Sequence, residues 1–573
     1  MLHVRGGVVE ICNPRHPPPK SPPPPPPAHL TPTTPARHRH QRRAVLPNQP
    51  IDAAPTMTML RSFARFTAGI STIALRLLAF IFLRWIPSHI LWPAVIFFWI
   101  LFILSFILLL SLDPELTEPV ALVETTDIMQ VVTTNGAKKV VAETEVETVA
   151  VSMPTSHIPK GPPRPISWME TIYLGIPNPN PLLSFGTTAI NAVMLLMALD
   201  LAFRRYLFHP LMDLSLHRPV PTSPYSCNIL VRWPPQAPTP VKVYYKNVEA
   251  NFWNSGPTVQ DLSDTTDYTS IVKLDDLIPG TAYEYAVLPT SVDITAANES
   301  SFGTFETFPR QRHHGRFSFG SSSCIFLGFP YNPLKSPLEI KGLEYLEQDI
   351  PNLKFFAFLG PPHPYAVLII GDFIYADVPH RQPPTPENYF MQYRQVYASP
   401  SFTKVLHNLP WYHVHDDHDI ANDYCQGENT SLYKNASYAF HAYHRNANPP
   451  PLHPDVNYFV MDYGDTSFFY LDTRRYRTSN FADDGPGKTM LGEQQLQDLL
   501  KWARGCEERG VLWKFIISSV PMTVNWKGPD GQRDTWGGFK HERQIILDAL
   551  NDISNVVVIS GVMSLLVPLH EGG

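Results

Sequence analysis

The pattern of apolar and polar positions changes twice along the chain, and each change marks a different kind of structure. From Ile90 to Leu112 there is no charged residue, and the run supplies the roughly 20 residues that a membrane-spanning helix needs. Pro181 to Leu199 is a second apolar run, shorter and more polar, closed by Asp200 and the pair Arg204-Arg205. Phe66 to Leu83 is a third, but Arg76 sits in its middle, where a charge is costly in lipid. That segment either spans or lies flat with its arginines among the headgroups. One early apolar segment alone would read as a signal peptide; a second and a third argue against simple cleavage. Residues 57–214 are therefore expected to form a membrane region with two or three transmembrane helices (66–83, 90–112 and 181–203). The chain reads as an integral membrane protein whose partners include lipid.

The side on which the C-terminal bulk lies stays open. Arg61, Arg65, Arg84 and Arg204-Arg205 flank the apolar runs, and the Asp113 to Glu147 loop is mostly acidic. Two spans would put that loop outside and the bulk in the cytosol, and three would reverse the bulk. The triplets Asn298-Glu-Ser, Asn429-Thr-Ser and Asn435-Ala-Ser fit the glycosylation pattern and favour the outside.

Residues 215–309 change to alternating, β-branched and aromatic segments. Val241-Lys-Val-Tyr-Tyr245 has strand composition, and Leu277-Ile-Pro-Gly-Thr-Ala-Tyr283-Glu-Tyr285 sets a turn before an aromatic strand, as at a tyrosine corner. This part resembles a fibronectin-III-like all-β domain, with packing support as its expected role. From residue 310 the pattern becomes α/β. Buried strands are predicted at Phe317–Phe319, Ala366–Ile370, Phe468–Leu471, Phe515–Ser518 and Val556–Ile559. Between them Leu491–Ala503 repeats Leu496, Leu499, Leu500 and Ala503 at helical spacing.

Composition adds limits. A chain of 573 residues exceeds one ordinary domain. A net charge of −6 and a pI near 6.4 give no reason to expect nucleic-acid binding. Five scattered cysteines allow one disulfide at most. Residues 1–56 are Pro-rich and basic, read as a disordered or polyproline II tail. Met57 or Met59 is a plausible alternative start.

Candidate chemistry lies where the α/β strands end. Ala366 to Ile370 runs into Gly371-Asp372, and in open α/β sheets sites form beyond the carboxyl ends of strands. Asp372 can reach one or two metal ions, and Tyr375 can add a phenolate oxygen. Cys324 closes Ser321-Ser-Ser-Cys one strand earlier; a thiolate and a phenolate together suit trivalent iron, and the acids a harder ion. The run His413-Val-His415-Asp416-Asp417-His418-Asp419 would repel itself if unpaired. Asp416 and Asp417 are candidate ligands, with Asp417 preferred, and His418 is a candidate to protonate a leaving oxygen. After Phe469-Tyr-Leu-Asp472, Arg474 can clamp a phosphate or form an internal pair with Asp472. Asp534-Thr-Trp536-Gly-Gly538 looks like a site-lining loop, with Trp536 as a substrate contact. Two cations about 3.5–4 Å apart can activate water against a phosphoester.

Together the elements Ser-Cys, Gly-Asp-x-x-Tyr, Asp-Asp-His-Asp and Asp-Thr-Arg-x-Tyr-Arg, in this order, resemble the alkaline phosphatase D (PhoD-like) family of metallophosphoesterases. The resemblance covers roughly Ser215 to Gly561, and the apolar N-terminal segments look like a fungal membrane-bound branch. It implies a metallophosphoesterase-like α/β fold, a β-sandwich flanked by helices, over residues 310–573. It also implies phosphomonoesterase or phosphodiesterase activity and a site of two or more ions, iron and calcium. Cys324, Asp372 and Tyr375 would then hold iron, while Asp372 and Asp417 reach the second metal.

Similar proteins continue with Asp-x-His after the strand that here is Val556–Ile559, Ser560-Gly561. This chain reads Val562-Met563-Ser564 and stops at Gly573. The expectation is a C-terminally truncated domain, either an active enzyme missing its end or an inactive docking module lacking the last ligand. The chain as written is expected to be nearly inactive, and restoring an Asp-x-His end is expected to rescue it.

Overall fold

The computed structural model describes residues 54–112, 166–310, 319–353, 366–523 and 528–561. The Pro-rich tail up to residue 53, the acidic loop and the segment after Gly561 lie outside the described residues. The chain forms two compact units. Of the described residues, one holds 54–80, 93–112 and 166–196, and the other holds 81–92 and everything from 197 onward.

The apolar runs fold as helices α1 (Ala54–Arg84), α2 (Leu91–Leu112) and α4 (Pro181–Phe208), with a short α3 (Trp168–Leu174) between the last two. Three stretches, Met57–Arg84, Leu91–Leu112 and Pro181–Phe208, are long and apolar enough to cross a membrane. The first begins about nine residues before its expected start, and the third runs five residues past its expected end, stopping just before Pro210. α4 starts on Pro181, whose missing N–H belongs to the unpaired first turn anyway, after Asn180, whose side chain accepts from Leu182 N at 3.0 Å. Arg76 is accommodated within the first unit by polar groups. Its Nε donates to Asn191 Oδ1 at 2.7 Å, Nη1 to the Ile172 carbonyl at 2.6 Å and Nη2 to Thr187 Oγ1 at 3.1 Å. That set removes the reason for laying this helix flat.

In the second unit, β1 (Leu216–Ser223), β2 (Ser226–Arg232), β3 (Val241–Asn247), β4 (Asn254–Thr258), β5 (Thr269–Leu274), β6 (Ala282–Pro289) and β7 (Phe302–Glu306) form two antiparallel sheets. Their orders are β1-β2-β5 and β4-β3-β6-β7. Ile229, Val231 and Val272 of the first share one core with Val243, Tyr283 and Phe305 of the second. Tyr283 Oη accepts from Ile278 N at 2.9 Å, fixing the turn that enters β6. A buried Asp267 joins this sandwich to the α/β part. It takes Arg232 at 3.1 Å and Arg394 at 2.6 Å.

The α/β part has two further sheets. β8 (Phe319–Ser322), β9 (Ala366–Ile370) and β10 (Trp411–Val414) are parallel, in the order β10-β9-β8. β11 (Phe459–Tyr463), β12 (Thr466–Tyr470), β13 (Trp513–Ser518) and β14 (Val556–Ser560) line up in chain order, parallel from β12 on. The helices are α5 (Lys341–Leu353), α6 (Pro386–Tyr397), α7 (Lys404–His407), α8 (Ser431–Phe440), α9 (Gly492–Glu508), α10 (Pro529–Arg533) and α11 (Lys540–Leu550). Strand alternation divides the core. Leu368, Ile370, Phe468, Tyr470, Phe515 and Ile517 lie between the sheets. Phe469, Leu471 and Ile516 face outward onto Leu499 and Trp502 of α9 and Ile546 of α11. The predicted apolar stripe of 491–503 is therefore core.

Candidate metal centre

β9 ends in a turn that only certain residues can make. Gly371 has φ 83°, and a Cβ there would stand 2.4 Å from Asp416 Cβ. The glycine is thus required both by its conformation and by the approach of the Asp416 loop. Asp372 follows with φ 54°, and Cys324, at the end of the β8 segment, has φ 60°. Such conformations persist in non-glycine residues only where the surroundings fix them. Here the Asp372 amide donates to Asp419 Oδ2 at 3.0 Å, and its carbonyl accepts from Ile325 N at 2.9 Å.

The polar run after β10 splits by strand alternation. Trp411 and His413 are buried on one face, and His413 stacks on His444 with ring centroids 3.5 Å apart. His415 follows, packed on Phe440 at 4.1 Å with neither ring nitrogen hydrogen-bonded, and burial pushes its pKa down to about 3. These histidines are core. Asp416, Asp417 and His418 come forward past the strand end instead. Asp419 turns beneath them and accepts from three backbone amides, those of Asp372 (3.0 Å), Ile374 (3.1 Å) and Asp416 (2.9 Å).

The result is a buried trio, Asp372, Asp416 and Asp417, whose carboxylate oxygens lie within 4.8 Å of one another. Cys324 Sγ (3.4 Å) and Tyr375 Oη (3.5 Å) both meet Asp372 Oδ2. All five predicted metal residues are therefore brought together. The His418 ring stacks on Tyr375 at 4.4 Å, and its Nδ1 pairs with Asp377 at 2.8 Å, which leaves Nε2 for another partner. Burial opposes charge on this imidazole, but the Asp377, Asp417 and Asp372 carboxylates outweigh it and hold its pKa well above the usual histidine range.

Arg474 is placed differently from the expected phosphate clamp. Nε donates to Asp416 Oδ1 at 2.5 Å, Nη2 lies 3.2 Å from Asp417, and Nη1 and Nη2 grip Asp534 at 2.7 and 2.8 Å. Every guanidinium nitrogen already faces a carboxylate. Its expected alternative partner, Asp472, instead caps the turn, accepting from the Arg474 and Arg475 amides at 3.1 and 3.0 Å. Trp536 is not brought to the trio. It is fully buried in the core beneath β13, and its indole N–H donates to Ser518 Oγ at 3.2 Å. The following Gly538 lets the Arg533 carbonyl approach to within 2.4 Å of where a Cβ would be, and this tight turn folds the tryptophan inward.

Asp377 and Ser519, whose hydroxyl donates to Asp416 at 2.9 Å, were not singled out from the sequence, and Asp419 and Asp534 were named only as members of the acidic run and the 534–538 loop, without a role. Asp377 had one signal, its place five residues after Asp372 in the same loop.

The trio fits a cation. Burial, with the Asp416, Asp417 and Asp419 charges, pushes Asp372 well above the usual carboxylate range. Burial also lifts Asp416 to about 6 although Arg474 opposes it. Three ionised carboxylates so close in a dry site need more positive charge than Arg474 shares with them. Oxygen donors beside a thiol and a phenol form a coordinating set.

Residues 356–563 match the sequence model of the PhoD-like phosphatase family. Among solved structures, one titled "Structure of PhoD" is 18% identical, with 61% of this chain and 71% of that chain covered and a TM-score of 0.45. A purple acid phosphatase, PPD1, from yellow lupin (Lupinus luteus) seeds is 13% identical, with 54% and 51% covered and a TM-score of 0.38. No curated protein matches the chain. The matched residues include Asp372, Tyr375, Asp416, Asp417, His418 and Arg474, so the segment that carries the acidic trio is the part of this chain that is similar to the PhoD-like phosphatase family.

Proposed function

We propose that this chain is a membrane-anchored, metal-dependent phosphoesterase acting on phosphomonoesters or phosphodiesters. The observation that carries this reading is the convergence of Asp372, Asp416 and Asp417 within 4.8 Å at the ends of two parallel strands. Cys324, Asp372 and Tyr375 would hold an iron ion, and Asp372, Asp416 and Asp417 would reach a second, calcium. When bound, such ions polarise phosphoryl oxygens and make water a nucleophile near neutral pH.

The chain's own groups supply the rest. Asp419 holds the Asp372 and Asp416 backbones so that both carboxylates face one point. Asp377 fixes the His418 tautomer and favours its protonated form. His418 then donates its Nε2 proton to the departing oxygen, and the negative charge on Asp377 stabilises the ring's orientation throughout. Arg474 pairs with Asp416 and Asp417 and offsets their mutual repulsion. The β1–β7 sandwich serves as a fibronectin-III-like support, fastened through Asp267.

Three crossings by α1, α2 and α4 provide the anchor. The connection between α1 and α2 belongs to the same unit as the α/β part, so three crossings place that part opposite the chain's N-terminus. The reading is tested by hydrolysis of p-nitrophenyl phosphate and its bis ester by the full chain reloaded with iron and calcium. It requires turnover that a chelator removes and that Asp372→Ala abolishes. Stoichiometric metal without hydrolysis of either ester would leave a docking module in its place.

A further inference from the structure

A cavity of about 270 Å³ opens in the second unit where the helix ends meet the loop before α5. None of its lining residues belongs to the metal centre. Five of the residues lining it are cationic, Arg84, Arg204, Arg205, Lys335 and Lys341, against two carboxylates. Those two are taken. Glu339 pairs with Lys335 at 2.6 Å and Lys341 at 2.8 Å, and Asp200 lies 3.6 Å from Arg204 and accepts from Tyr331 Oη at 2.9 Å.

Arg205 has no such relief. It is 4% exposed, its Nη2 donates to the Val378 carbonyl at 2.9 Å and to the Tyr206 hydroxyl, and its Nε has no hydrogen-bond partner. Among the described residues no carboxylate pairs with it, and none pairs with the exposed Arg84. A guanidinium this deeply buried carries a charge that an incoming anion would neutralise.

We propose that this cavity is a binding site for a phosphate-bearing anion, and that an anionic phospholipid headgroup is its source. Arg84 ends α1, and Arg204 and Arg205 lie in the last turns of α4. In helices that cross a bilayer, such end positions sit at the level of the headgroups, where basic pockets between helices collect acidic lipids. The choice of lipid over a soluble ester rests on the membrane reading. The anion site itself does not. Leu201 and Phe329 on the same wall offer apolar surface to the glycerol end of the lipid.

The test uses the full chain in a neutral detergent, with a chelator present to silence turnover, and native mass spectrometry to count bound molecules. The probes are phosphatidylglycerol, phosphatidylcholine and glycerol 3-phosphate. One phosphatidylglycerol per chain should be retained at least tenfold better than phosphatidylcholine. Arg204→Gln with Lys335→Gln, both partly exposed side chains, should weaken it about tenfold, equivalent to about 1.4 kcal/mol. Glu339→Gln removes one negative charge and releases Lys335, while Lys341 keeps Glu344 at 2.6 Å, and should tighten retention, an effect that mere misfolding cannot give. Binding of glycerol 3-phosphate at equal affinity would assign the same anion site to a soluble ester. Equal retention of both lipids, or retention unchanged in the double variant and in Glu339→Gln, overturns the proposal.

Discussion

Arg474 Nε donates to Asp416 Oδ1 at 2.5 Å while the other edge of the same guanidinium grips Asp534 through two hydrogen bonds. One arginine thus ties the loop after β10 to the segment before α11, and its charge goes to the site's own acids. Arg474→Ala leaves buried carboxylates unpaired and should cost about 3–5 kcal/mol, seen as a fall of about 10 °C in melting temperature. Arg474→Lys cannot restore the fork and should recover only part. A variant that melts like wild type but has a raised KM would show that Arg474 serves the substrate instead.

Asp377 and His418 form the second pair, 2.8 Å apart. Asp377→Asn keeps the size and an acceptor for the Asn422 amide but removes the charge that favours imidazolium. The expected result is a kcat about 100-fold lower with KM nearly unchanged. An unaltered kcat would remove His418 from the proton-donor role.

Asp419 carries no substrate role, yet it satisfies three buried amides. Asp419→Ala orphans all three, at about 1–3 kcal/mol for each buried group left unpaired, and frees the Asp372 turn from its left-handed conformation. Both stability and metal retention should fall, and Asp419→Asn should recover part of each. Lost stability with full metal retention would mean the turn holds without this cap.

The strands at 366–370, 515–518 and 556–559 were legible because buried parallel strands read as continuous apolar runs. The Gly-Asp-x-x-Tyr and Asp-Asp-His-Asp elements were legible because acids at strand ends have few structural uses. The role of Asp419, the last acid of that element, was not, since its work depends on amides at 372 and 374, more than forty residues away in sequence. Arg474 showed its charge but not its partners, because Asp534 approaches only through the tertiary fold. Trp536 looked like a loop residue beside two glycines, while the close packing those glycines allow turned it into the core. Arg76 made α1 ambiguous until Asn191, Thr187 and the Ile172 carbonyl stood around it.

Those contacts support a spanning α1, and with it three crossings. The full chain should remain in the membrane pellet after alkaline carbonate washing. Reporters fused at the N-terminus and after Gly561 should lie on opposite faces. Release into the wash would remove the anchor, and reporters on one face would require two crossings.

The central claim is that Asp372, Asp416 and Asp417 hold metal, and metal content tests it most directly. The full chain, purified without chelator after supply of iron and calcium, should carry at least one tightly held ion per chain by elemental analysis. Asp372→Ala, folded by its melting curve, should lose it, because this carboxylate lies between the thiol and phenol on one side and the Asp416-Asp417 pair on the other. A folded wild-type chain free of metal, or an Asp372→Ala variant with unchanged metal content, would contradict the account.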